Sequence, residues 1–139
     1  MSVVVGYVPT PEGDAALDAA IHEAQARGSR VVVVLSERGH RFGSEATELA
    51  AHADEVRRRL DEQGVRHDVR MTSRGRDVAD DIISAASEGD CELIVIGLRR
   101  RSPVGKLILG SNAQRILLDA PCPVLAVKPR DREPEAPTA

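Results

Sequence analysis

Aromatic side chains are nearly missing from this chain: its 139 residues include one tyrosine, one phenylalanine and no tryptophan. Sandwiching a flavin between rings needs more aromatic surface than that, and a core so poor in aromatics fits buried parallel strands faced by Ala-rich helices. The net charge of −3 also speaks against general nucleic-acid binding, which uses a basic surface. Only two cysteines occur, Cys91 and Cys122, and neither has a Cys or His nearby at metal-ligand spacing. No metal site is therefore expected, and both read as small buried or half-buried thiols. No apolar run approaches the roughly 18 residues needed to span a bilayer. The opening residues lack the charged segment and apolar stretch of a secretory signal. A cytoplasmic protein without membrane contact is the expectation.

What the chain does have is Val, Ile, Leu and Ala in short runs that alternate with longer amphipathic stretches. Val3–Tyr7, Val31–Leu35, Val65–Met71, Leu93–Ile96 and Pro123–Val127 read as five strands. Runs of consecutive apolar residues suit strands buried on both faces, whereas the alternation in Val65–Met71 marks an edge. Four helices are predicted over Asp14–Arg27, Ser44–Gln63, Asp77–Glu88 and Asn112–Leu118, with Gly28, Gly64 and Gly89 ending the first three. The inner stripe of the second helix is read as Ala46, Leu49, Ala50, Ala53, Val56 and Leu60. This alternation makes an open α/β domain, a mostly parallel sheet with helices on both faces, over residues 1–129. Residues 130–139, rich in Pro, Arg and Glu and without large apolar side chains, are expected to be a disordered tail.

Chemistry concentrates in the segment from Gly97 to Asn112. It leaves an apolar strand, carries Arg99, Arg100, Arg101 and Lys106 with no acid, and closes on Gly110-Ser111 at a helix start. Ser111 followed by Gln114 matches a capping box. Helix N-terminal amides beside basic side chains are the parts of an anion site, with phosphate the best candidate. Lys106 does not form a Walker loop, because Leu107 stands where Ser or Thr is required.

The spacing Gly97-Leu-Arg-Arg100, nine residues, Gly110-Ser111, together with the run Asn112–Lys128 and its Ala-Pro-Cys-Pro-Val step, resembles the universal stress protein family over about residues 2–129. ATP-binding members of that family carry G-x-x-G-x9-G-[S/T] after their fourth strand. The resemblance implies a five-stranded parallel sheet in the order 3-2-1-4-5, of the adenine nucleotide alpha hydrolase-like, Rossmann-like type. It implies ATP or AMP, with or without Mg, in a crevice after strands one and four. Gly97, Gly110, Ser111 and Asn112 would lie along phosphates and ribose, Tyr7 and Val8 would follow strand one, and Ser36 would face the adenine through its main chain. Two positions depart from the pattern: Arg100 replaces the second glycine, and Val8 stands where ATP-binding members place an acid. The resemblance further implies a homodimer paired through strand 124–127.

Other readings fit less well. A receiver-type phosphoacceptor needs acids after strands one and three, where this chain has Val8-Pro9 and Thr72-Ser73. No catalytic residue is assigned. His22, His52 and His67 read as surface groups, His40 lacks a visible partner, and Asp80-Asp81 suits a helix start. The function expected is an adenine-nucleotide-binding regulatory module in stress response. The alternative is a dimeric interaction protein with a degenerate site, and a weak ATPase ranks third.

Overall fold

The computed structural model describes residues 1–35, 45–71, 77–98 and 109–129, with the side chains of 45–49 left aside. Nine elements follow in order: β1 (Ser2–Tyr7), α1 (Pro11–Arg27), β2 (Arg30–Leu35), α2 (Glu45–Glu62), β3 (His67–Met71), α3 (Val78–Ser87), β4 (Cys91–Gly97), α4 (Ser111–Asp119) and β5 (Val124–Val127). Ser36, His40, Thr72, Ser73, Arg99–Arg101, Lys106 and the tail over 130–139 lie outside the described residues.

The strands form one sheet in the order β3-β2-β1-β4-β5, and every pairing is parallel. Val3, Val4 and Val5 of β1 are completely buried, as the unbroken apolar run requires of a central strand covered on both faces. Alternation divides their side chains between two cores. Val3, Val5 and Tyr7 join Leu17 of α1 and Val56 and Leu60 of α2. Val4 joins Ile82 of α3, Ile94 and Ile96 of β4, and Ile116 of α4. Burying each such side chain is worth about 1.5–3 kcal/mol, so the two half-cores clamp the sheet from opposite sides.

Several local expectations are corrected. The first helix begins at Pro11, three residues before Asp14, because Thr10 caps it: the Gly13 N–H donates to Thr10 Oγ1 at 3.1 Å, and proline occupies the first turn without sacrificing an internal bond. Ala50 is exposed rather than part of the inner stripe of α2, whose buried residues among those described are Ala53, Val56 and Leu60; the side chains of Ala46 and Leu49 lie outside the description. Gly28 and Gly64 do close their helices in left-handed conformations, at φ 69° and 68°. Gly89 does not adopt one; α3 ends at Ser87, with Glu88 as its C-cap in the ordinary right-handed region. His67 is half-buried, its Nδ1 2.9 Å from the Val65 carbonyl, rather than a freely solvated group.

Candidate ligand crevice

Strand order reverses between β1 and β4: α1 carries the chain from β1 to β2 on one side, while β5 follows β4 on the other. Val5 pairs with Val95, so the strands' carboxyl ends, Tyr7 and Gly97, finish beside each other. Open parallel sheets place ligands at such a reversal, because the two outgoing connections diverge and leave a gap. Here the gap is a crevice of about 130 Å³. Its floor is apolar, formed by Gly6, Ile82, Ile96 and Ile116, and its rim carries the first turns of α1 (Glu12, Gly13) and α4 (Asn112, Ala113).

Glycine shapes this region by letting backbones meet. A Cβ on Gly13 would lie 1.8 Å from the Val8 carbonyl oxygen, and one on Gly97 would lie 2.3 Å from that of Glu12. Both glycines thus seat the start of α1 against the ends of β1 and β4. Gly110 is different: nothing among the described residues lies within 4 Å of the position its Cβ would take, and its φ is −75°.

The two helix starts on the rim are finished differently. In α1 the Thr10 hydroxyl takes the Gly13 amide, and Glu12 and Asp14 lie in the first turn. In α4 the N-cap is Gly110, there is no side-chain cap bond and no acid in the first turn. The capping box expected of Ser111 and Gln114 is not made. Ser111 is already the first helical residue, and the Gln114 side-chain amide donates to the Leu109 carbonyl at 3.1 Å. Among the described residues, the opening amides of α4 are therefore not satisfied by side chains, and the helix dipole at that end is uncompensated.

Of the residues singled out in the sequence, Tyr7, Val8, Gly97 and Asn112 line the crevice. Gly110 and Ser111 are exposed at the start of α4 and are not among its lining residues. Ser36 and Arg100 lie outside the described residues. The Tyr7 side chain joins the core on the α1 and α2 face. There its hydroxyl donates to Asp14 Oδ1 at 3.0 Å, an oxygen that also accepts from Arg59 Nη1 at 3.2 Å. Burial, reinforced by the Asp14 charge, pushes the Tyr7 phenol up to about 12. Val78, Ile82, Ala113 and Ile116 were missed; the signal for them was positional, since each lies in a helix that borders the reversal. No group of three or more His, Cys, Asp or Glu suited to a metal occurs among the described residues.

The model of the universal stress protein family matches residues 1–128. The chain belongs to that family. A universal stress protein of Mycolicibacterium smegmatis is 40% identical over 127 residues, covering 91% of this chain and 97% of its own. Among solved structures, the universal stress protein from Archaeoglobus fulgidus superposes with a TM-score of 0.76 at 33% identity, covering 92% of this chain and 98% of that one. A universal stress protein from the same organism, solved in complex with dAMP, gives 0.72 at 27% identity with the same coverage. The sheet order and helical layers described above are thus those of the universal stress protein fold, and Val8 lies on the crevice wall.

Proposed function

We propose that this universal stress protein domain is a regulatory module that works by binding an adenine nucleotide, ATP or AMP, in the crevice between β1 and β4. The observation that carries the reading is the uncapped, acid-free start of α4 on the crevice rim. An anion there replaces the missing cap and meets the positive end of the dipole. The apolar floor suits a flat heterocycle, and a relative 27% identical to this chain is solved with dAMP. Mg arriving with ATP would meet a single carboxylate among the described lining residues, that of Glu12. A cytoplasmic location accords with this role; among the described residues, no helix is long and apolar enough to cross a membrane.

The test begins with the purified protein: it is denatured, released nucleotide is sought, and ATP and AMP are then titrated calorimetrically. Asn112→Asp, which places an acid at the start of α4, is expected to weaken binding roughly three- to tenfold through the dipole and direct repulsion. No carried nucleotide and no heat at millimolar ligand would sink the proposal and favour a crevice closed by its own side chains.

We further propose a homodimer through β5. Pro123 and Val127 turn their carbonyls to β4, accepting from Ile94 and Leu98 at 3.0 and 2.8 Å. Alternation then turns the backbone groups of Val124 and Ala126 outward, unpaired within the sheet and open to a second copy. Leu125 packs on the core, so Ala126, which is exposed, is the better probe. Light scattering is expected to give a dimer for the parent protein and a monomer for Ala126→Pro; a monomeric parent protein would overturn the interface.

A further inference from the structure

Cys91 opens β4 and Cys122 lies two residues before β5, so the parallel pairing of these strands brings them to the same end of the sheet, opposite the crevice. Their sulfurs are 3.3 Å apart, and both residues are half-buried free thiols. Little movement separates that arrangement from a bond. We propose that Cys91 and Cys122 form a reversible intramolecular disulfide, driven by small-molecule disulfides of the glutathione class, that restrains α4 and with it one wall of the crevice.

The restraint follows from connectivity. The cysteines are 31 positions apart, and the ring they close contains Ile96, Gly97, Asn112, Ala113 and Ile116, all crevice-lining residues. Among the described residues, α4 has one fully buried side chain, Ile116, with Ala113 and Ala120 packed beside it and Arg115 paired to Asp80 of α3, so a covalent tie just beyond its carboxyl end adds to these contacts and limits its excursions.

The chemistry balances with one oxidised glutathione. The Cys91 thiolate attacks a glutathione sulfur, forming a mixed disulfide and expelling one glutathione thiolate, which takes up a proton. Cys122 then loses its proton to solvent and attacks the Cys91 sulfur, breaking the mixed bond and releasing the second glutathione thiol. Two protein thiols are oxidised and one disulfide is reduced to two thiols. Burial, together with the neighbouring Cys91, pushes the Cys122 thiol up to about 12, so its thiolate is scarce and the second step is the slower one, carried by the 3.3 Å proximity of the two sulfurs.

The experiment uses the reduced full-length protein in excess oxidised glutathione, followed by acid quench, alkylation, intact mass and peptide mapping. The expected product has monomer mass, takes up no alkylating agent, yields a linked Cys91–Cys122 peptide, and reverts with dithiothreitol. Its Tm is expected to rise by roughly 5–15 °C, as closing a ring of this size in the unfolded chain implies. Cys91→Ala should leave Cys122 open to alkylation and abolish the rise. Full alkylation of both thiols, glutathione adducts on both, or cross-linked dimers on a non-reducing gel would overturn the proposal. If the variant fails to fold, amide exchange of the parent protein decides: exchange in α4 slows on oxidation, and a disulfide that left both exchange and Tm unchanged would overturn the restraint.

Discussion

The helices α1 and α4 both start at the crevice, yet one start is finished and the other is left open. Thr10 adopts an extended conformation (φ −139°, ψ 167°) that aims its hydroxyl at the Gly13 amide; Pro11 needs no hydrogen-bond acceptor, and Glu12 and Asp14 neutralise the dipole. Asp14 is tied further to Tyr7 and Arg59. Around α4 the corresponding places hold Gly110, Ser111 and Asn112, with no side-chain cap and no acid among the described residues. An α1-type start is stable by itself and has little left to offer a ligand. An α4-type start gives up about 1 kcal/mol of capping and keeps its amides for whatever enters. One fold therefore carries, side by side, a helix start used for architecture and one suited to recognition.

The largest expected effect comes from adding one methyl group on each side of this comparison. Gly13→Ala forces a Cβ to within 1.8 Å of the Val8 carbonyl, and backbone on both sides must move. A loss of about 3 kcal/mol or more is expected from denaturant midpoints, at the upper end of overpacking effects. Gly110→Ala meets nothing within 4 Å among the described residues and should cost no more than about 1 kcal/mol, the difference between glycine and alanine as N-caps. Equal losses would erase the distinction between the two starts.

A smaller effect concerns the tie between Tyr7 and Asp14. The folded-state phenol titrates near 12 and the unfolded one near 10. Below pH 10 both states keep the proton and the stabilisation is complete. As pH rises from 10 to 12 the unfolded chain ionises first, binds fewer protons, and stability falls. After allowance for solvent screening the loss is roughly 1–2 kcal/mol. Tyr7→Phe should flatten that decline in alkaline unfolding curves, and because the chain has no other tyrosine the difference reads this site directly. An unchanged decline would mean that Asp14 is not held by Tyr7.

Strand identity and the two left-handed helix ends were legible because each rests on local pattern: consecutive valines in β1 and β2, and Gly28 and Gly64 after amphipathic runs. Sheet order came through the family resemblance, and the fold agrees with it. The crevice was legible as a gap after strands one and four, but part of its lining was not, since Ile82 and Ile116 reach it only through packing of α3 and α4. Gly97 stood out as a candidate for ligand approach, yet its nearest constraint is the backbone of Glu12, a contact between elements 85 positions apart. The Cys91–Cys122 pair was invisible for the same reason: spacing along the chain does not reveal that β4 and β5 begin side by side. Ser111 shows the opposite failure, a local motif overridden in place. The pattern Ser-x-x-Gln was present, but the helix starts one residue earlier than the motif requires, and Gln114 turns to Leu109.

That displaced start supplies the finest test of the comparison. Thr10→Ala removes a cap seen at 3.1 Å and leaves the Gly13 amide without its hydroxyl partner; a loss of about 1 kcal/mol is expected. Ser111→Ala, at a position that sequence alone would rank as the better cap, should change stability by less than about 0.5 kcal/mol, since its side chain makes no cap bond and faces solvent. If thermal unfolding instead showed the larger loss for Ser111→Ala, the hydroxyl would have to be closing α4 in solution. The start of that helix would then resemble α1, and the case for an anion there would lose its main support.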